Sequence, residues 1–301
     1  MIGKDCNPSL GNSPRLNEFL TRSRIVRRLP EFDDPPVIEV ALSAQLEPLA
    51  GFRVVHFGLL WERFRDKGFR SVEEHGPLDS VLETFEPATR EPAIQVRMFE
   101  DSPPPPRVWF VNEVGTELIQ VQSDRFVHNW RKGRTTVPYP RYKNIRSRFL
   151  DELKMFEQFT AAEELGRFQP TQCEITYINH ILAGDGWASH GELENVFTIW
   201  QNKFSDDFLR LPEDAGFALR FRIPDSNGAP IGRLHIALQP AFRGSDKKPV
   251  LILTLTARGA PAGNGIPGIL SFLDLGHDWI VQGFTSITTP QMHRIWRKTD
   301  D

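Results

Sequence analysis

Between Gln120 and Tyr142 the chain reads QVQSDRFVHNWRKGRTTVPYPRY, a turn-rich segment that gathers amide, cationic and aromatic groups. Arg125, His128, Asn129, Trp130, Arg131, Lys132, Tyr139, Arg141 and Tyr142 are the candidate ligand- or partner-binding residues, and Arg134, Lys143, Arg146 and Arg148 extend the basic run. Guanidinium groups present planar forks to phosphate or carboxylate, and aromatic faces stack on bases, so the mixture suits a nucleotide or a single-stranded nucleic acid. The same residues also suit a structural role: Trp130 and Tyr139 can pin the loop to a sheet while Asn129 caps a turn with its amide.

Catalytic motifs are otherwise absent. The sequence holds no P-loop, HExxH, GxSxG elbow, calcium loop or cysteine pair at ligand spacing, and no two histidines are paired at metal-ligand spacing. His277-Asp278 is a metal-like dipeptide without partners, for which a surface or helix-capping role is expected. A hydrolase working in an inter-domain cleft would use Glu39, Glu174 or His180. The expectation is therefore no catalytic set, no metal and no cofactor.

The bulk numbers bound the class. At 301 residues, one large or two medium domains are expected, and 40% apolar residues with 22 Phe and 7 Trp are enough for a substantial core. A net charge of −3 disfavours binding nucleic acid over the whole surface but leaves local basic patches. Two cysteines far apart, no long apolar run and no signal-like start suggest a soluble, cytoplasmic protein.

The elements that must position the basic segment follow from periodicity. Residues 1–34 read as a flexible N-terminal arm. Val37–Leu46 reads as a strand, Val55–Lys67 as an amphipathic helix, Val81–Phe85 and Ile94–Glu100 as short strands, and Pro103–Pro106 as an extended link. Val108–Asn112 and Glu117–Trp130 make a hairpin whose second strand places Gln120, Gln122, Asp124, Phe126, His128 and Trp130 on one face, turned to water or to a polar groove. Tyr142–Leu165 has the spacing of a buried helix face, with Ile145, Phe149, Leu153 and Phe156. Cys173–Leu182 is a strand, Glu192–Lys203 a helix, and Phe217–Ile223, Arg233–Leu238 and Val250–Ala257 are strands. A helix over Ile269–Phe284 and a short one opened by Thr289-Pro290 finish the chain.

Strand, helix, antiparallel strands and long helix thus occur twice in the same order. Glu39-Val40 answers to Glu174-Ile175, and Trp61-x-x-Phe64 to Trp200-x-x-x-Phe204. The fold expected is α+β, with two tandem helix-grip-like repeats over 35–166 and 167–301, the long helix of each filling a curved sheet. The first grip is expected to be packed solid.

The residues DRF, NWRK and YPRY (Asp124–Tyr142), followed by EITYIN (Glu174–Asn179), resemble a sporadically distributed bacterial family of uncharacterised proteins of similar length. The matching residues are Asp124, Arg125, Phe126, Asn129, Trp130, Tyr139, Pro140, Tyr142, Glu174, Tyr177, Ile178 and Asn179, and the likeness covers Pro35 to Trp296. The resemblance brings no activity. Sporadic occurrence implies a place in a bacterial defence or mobile-island system. The function expected is a non-enzymatic binding or adaptor protein with a protein partner. Nucleotide or nucleic-acid binding through Arg125–Arg148 is the alternative, an inter-domain-cleft hydrolase the further one, and no membrane is involved.

Overall fold

A computed structural model describes residues 28–86, 106–133 and 137–299. The elements are β1 (Glu31–Phe32), β2 (Val37–Leu46), α1 (Val54–Arg65), β3 (Phe69–His75), β4 (Arg107–Asn112), β5 (Glu117–Gln122), β6 (Arg125–Arg131) and α2 (Tyr142–Ala162). There follow β7 (Pro170–Leu182), α3 (Leu193–Val196), β8 (Phe217–Pro224), β9 (Pro230–Phe242), β10 (Pro249–Gly259), α4 (Gly265–Ile287), α5 (Pro290–Ile295) and β11 (Lys298–Thr299). The class is mixed α+β, dominated by one antiparallel nine-stranded sheet in the order β3-β4-β5-β6-β2-β7-β10-β9-β8. Both halves of the chain contribute to this sheet, and their first strands, β2 and β7, pair at its centre. A separate two-stranded ribbon joins β1 to β11.

Period-two alternation decides which face of the sheet is dry. Val40, Leu42 and Ala44 of β2, Ile175 and Tyr177 of β7, and Leu253, Leu255 and Ala257 of β10 are all buried on one face. Helices α1, α2 and α4 cover that face, α1 over β3 and β4, α2 over β6, and α4 over β7 and β10. Phe149 and Phe156 of α2 meet Phe126 of β6 with ring centroids 6.2 and 5.1 Å apart, and Ile145 and Leu153 are equally buried. Helix α4 comes close to the sheet at Gly276, where an added Cβ would stand 2.7 Å from Ile175 Cγ2.

Several elements depart from the sequence reading, each for a visible cause. Glu117–Trp130 is two strands, because a tight turn at Ser123-Asp124 reverses the chain. Asp124 accepts from Gln122 Nε2 at 2.8 Å, and the carbonyls of Ser123 and Asp124 accept from Leu49 and Leu46 N–H at 3.0 and 2.7 Å. The reversal breaks the expected single face: Gln120 and Gln122 stand on the polar side of the sheet, whereas Phe126, His128 and Trp130 point into the core with Ile119 and Val121.

Glu192–Lys203 shortens to the single turn of α3. Phe197 is extended and fully buried, it bridges to Thr288, and the Thr198 N–H donates to the Ile287 carbonyl at 2.8 Å, so tertiary pairing ends the helix. Val81–Phe85 belongs to no strand of either sheet. Ile94–Glu100, most of Pro103–Pro106 and most of the N-terminal arm lie outside the described residues. In α5, Thr289 is the N-cap, accepting from Met292 N–H at 3.4 Å, with Pro290 at the first helical position.

Candidate functional site

The three tyrosines of the chain, Tyr139, Tyr142 and Tyr177, come together although they lie on three different elements. After β6 the chain crosses to the N-terminus of α2, and this crossover lays Tyr139 against Trp130 at 5.3 Å between ring centroids. Tyr142 opens α2. Tyr177 projects from β7 on the core face. Helix α4 supplies Asp274, His277, Val281 and Phe284, spaced to share one side of a helix. Between them is a cavity of about 320 Å³, walled by Val37, Leu255, Ile280, Val281 and Phe284 and roofed by residues 29–32 and Pro35. The roof is held by the β1–β11 ribbon and by Phe32, whose ring meets Phe284 edge-on at 5.4 Å.

The polar end of the cavity is a chain of hydrogen bonds. Tyr139 and Tyr177 hydroxyls lie 3.0 Å apart, and Tyr177 stands 3.0 Å from His277 Nδ1. Burial depresses the His277 pKa to about 4 against a weaker opposing pull from Asp274, so near neutral pH the ring is uncharged, and its tautomer sets which of Nδ1 and the Tyr177 hydroxyl donates. Tyr142 stacks on His277 at 4.0 Å and 11° and donates to Asp274 at 2.8 Å, while Arg146 grips the same carboxylate at 2.6 and 2.8 Å.

Burial raises the Tyr139 pKa to about 12 and pushes Tyr142 and Tyr177 further up. Phenols held neutral and an imidazole that resists protonation are poor proton carriers near pH 7 but good hydrogen-bond donors and acceptors. Arg141 and Lys143 line the mouth. Arg141 has φ 70 and ψ 151, a conformation close to glycine-only, and its guanidinium donates to the Phe32 carbonyl at 2.7 Å, tying the roof to the helix start.

The chain matches no family model, no curated protein and no solved structure.

Of the residues expected to act together, the cavity unites Tyr139, Arg141 and Tyr142, with Trp130 buried behind Tyr139. The rest lie elsewhere, His128 on the core face and the others on or around the polar face. His128 is fully buried beneath α2, its Nδ1 2.7 Å from Glu152 Oε2. Asn129 caps no turn; on the polar face it donates to Glu39 at 2.7 Å and accepts from Gln120 at 2.7 Å. Arg125 and Arg131 share that face, Arg131 donating to the Gly115 carbonyl at 2.7 Å. Lys132 is exposed at the end of β6, Arg148 pairs with Glu117, and Arg134 lies outside the described residues. The basic run is therefore divided between the two faces of the sheet and forms no continuous strip.

Glu39 faces Ile178 and Glu174 faces Ser43 across the β2–β7 pair. These carboxylates are four residues, or about 13 Å, apart along the strands, too far to share one reacting atom. His277 is a correction: it occupies the middle of α4, stacked on Tyr142, and it neither caps a helix nor sits on the surface. Asp274 and His277 stand three apart on the side of α4 that also carries Val281 and Phe284, and this spacing is the sequence signal for the polar end of the cavity. Among the described residues no three His, Cys, Asp or Glu side chains are placed to hold a metal ion, and no helix is long and apolar enough to cross a membrane.

Proposed function

We propose that this chain is a non-catalytic binding protein that holds a small, largely apolar molecule in the cavity between α2, α4 and the centre of the sheet. The observation that carries this is the convergence of all three tyrosines and the neutral His277 on an apolar cavity of about 320 Å³, within the size range of small-molecule sites. A ligand that fits has a ring or short aliphatic body against Val281, Ile280 and Leu255, and a carbonyl or hydroxyl that meets Tyr139 and His277. Arg141 and Lys143 at the mouth favour an acidic group on the outer end.

Native mass spectrometry of the purified chain, with thermal shift against a panel of hydroxy- and keto-acids carrying an apolar body, tests this. Retention of a small molecule, or a rise in melting temperature with panel members that is lost in Val281→Trp, is expected. No retained mass and no shift with any panel member would sink the proposal.

The fold also supports a reading as two like halves, fused at the centre of one sheet. Ala41 pairs with Thr176, Glu39 stands two residues before the first and Glu174 two before the second, which is the arrangement a local dyad through that pair would produce. In each half the first strand pairs with the last, β2 with β6 and β7 with β10. Superposition of β2–α2 on β7–α4 by a rotation far from 180° would count against the duplication. A setting in a bacterial defence or mobile-island system rests on the resemblance alone, and the genes flanking this one test it.

A further inference from the structure

The polar face of the sheet carries a second feature, independent of the cavity. Residues 78–86 leave β3 and run across the strands rather than along them, over β5, β6, β2, β7 and β9. The sheet grips their main chain through side-chain amides. Gln122 accepts from the Leu78 N–H at 2.8 Å and donates to the Leu78 carbonyl at 2.9 Å. Gln172, farther along, accepts from the Glu83 N–H at 2.6 Å and donates to the Val81 carbonyl. Two glutamines that each satisfy a peptide N–H and a peptide C=O read an extended backbone whatever its side chains.

One side chain is read as well. The Glu83 carboxylate, 6% exposed, is paired with Arg233 and lies 2.8 Å from His235 Nε2, while the Thr84 carbonyl accepts from Arg233 at 3.1 Å. Arg125 donates to the Asp79 carbonyl at 2.9 Å, yet its buried Nε finds no partner among the described residues.

The segment contributes little apolar burial: Leu78, Val81 and Leu82 are 39, 49 and 58% exposed. Beneath it a space of about 320 Å³ remains, lined by polar groups of the sheet that include Arg125, Gln172, Glu174 and Arg258. A strand-crossing segment held by polar contacts over an incompletely filled groove is bound in the manner of a ligand and not of a core element.

We infer that the polar face is a docking groove for an acidic peptide of a partner protein in extended form, and that residues 78–86 are its occupant in cis. The peptide class follows from the contacts. The glutamine pair needs a peptide N–H beside a peptide C=O, which a nucleic acid lacks, and the Arg233–His235 site needs a carboxylate about five residues after the first clamped unit. Occupation in cis at the effective concentration of a tethered segment would hold a trans peptide off until the partner offers a better fit.

The test uses fluorescence anisotropy with a labelled peptide of the segment's own sequence, GPLDSVLETFE, and the full chain with residues 78–85 replaced by an equal length of Gly and Ser. Binding roughly tenfold or more tighter than to the unaltered chain is expected, with loss when the peptide carries Lys in place of its first Glu and when Gln172→Ala is added to the chain. Should the replaced chain fail to fold, the full chain carrying Glu83→Lys is read in the same way. Absence of binding to the folded variant overturns the proposal. So does equal binding of the Lys-bearing peptide, or competition by an oligothymidylate as effective as the peptide itself.

Discussion

Acidification should weaken the fold through His277 before most of its carboxylates are protonated. An exposed histidine takes up its proton near pH 6.5, whereas the His277 ring, enclosed by Tyr142, Tyr177 and the cavity wall, holds out until about pH 4. Between these values the unfolded chain binds the proton and the folded chain does not, so the stabilisation is complete above pH 6.5 and is lost as the pH falls. The linkage relation puts the loss at about 2 kcal/mol at pH 5 and about 3 kcal/mol at pH 4.

The assay is urea unfolding of the native chain and of His277→Gln at pH 7.5, 6, 5 and 4. Glutamine keeps an acceptor for the Tyr177 hydroxyl but cannot titrate. Other groups titrate in both proteins, among them His235, also held down to about 4 by burial and by Arg258, Arg220 and Arg233, so the difference between the two curves isolates His277. The variant should be less stable than the native chain at pH 7.5 and should close that gap by about 3 kcal/mol at pH 4. Curves that fall in parallel would show that His277 is not held neutral by the fold, and the view of the cavity end as an uncharged hydrogen-bonding set would fall with it.

Other consequences are local. Gly276→Ala places a methyl 2.7 Å from Ile175 Cγ2 and 3.0 Å from Ala257 Cβ, so α4 must lift from the sheet; a loss of about 1–3 kcal/mol is expected, read as a lower urea midpoint at unchanged slope. At Arg141, glycine relieves the backbone strain and alanine keeps it, so Arg141→Gly should exceed Arg141→Ala in stability by about 1 kcal/mol although both lose the Phe32 contact. Phe126→Ala should cost about 3–5 kcal/mol, because the ring is fully buried against Phe149 and Phe156. Gln120→Ala, at a site expected to share a face with Phe126, should cost only about 1 kcal/mol by the same unfolding assay.

The contrast between Phe126 and Gln120 shows where periodicity stops being informative. Long elements with a strong repeat were legible: Ile145, Phe149, Leu153 and Phe156 lie buried on one side of α2, and the strand at Val37–Leu46 is observed with those bounds. Alternation along Glu117–Trp130 was equally regular, but a period of two holds only while the chain does not turn, and the turn at Ser123-Asp124 is fixed by carbonyl contacts to Leu46 and Leu49, about eighty residues earlier. The one-residue shift in phase after the turn puts Phe126, His128 and Trp130 on the face opposite to Gln120 and Gln122.

The candidate site failed to assemble for a related reason. Arg125, Asn129 and Arg131 alternate with His128 and Trp130 along β6, so neighbours in sequence belong to opposite faces of the sheet. Tyr139 and Tyr142 stay together because residues 137–142 lead directly into α2 beside Trp130 and His277. Their partners Tyr177 and His277 are 38 and 138 positions beyond Tyr139, and only the pairing of β2 with β7 and the seating of α4 on β7 and β10 bring them within reach. Local spacing therefore identified the half of the cavity built by one continuous segment, and the half built by the meeting of the two ends of the chain was set by sheet topology alone.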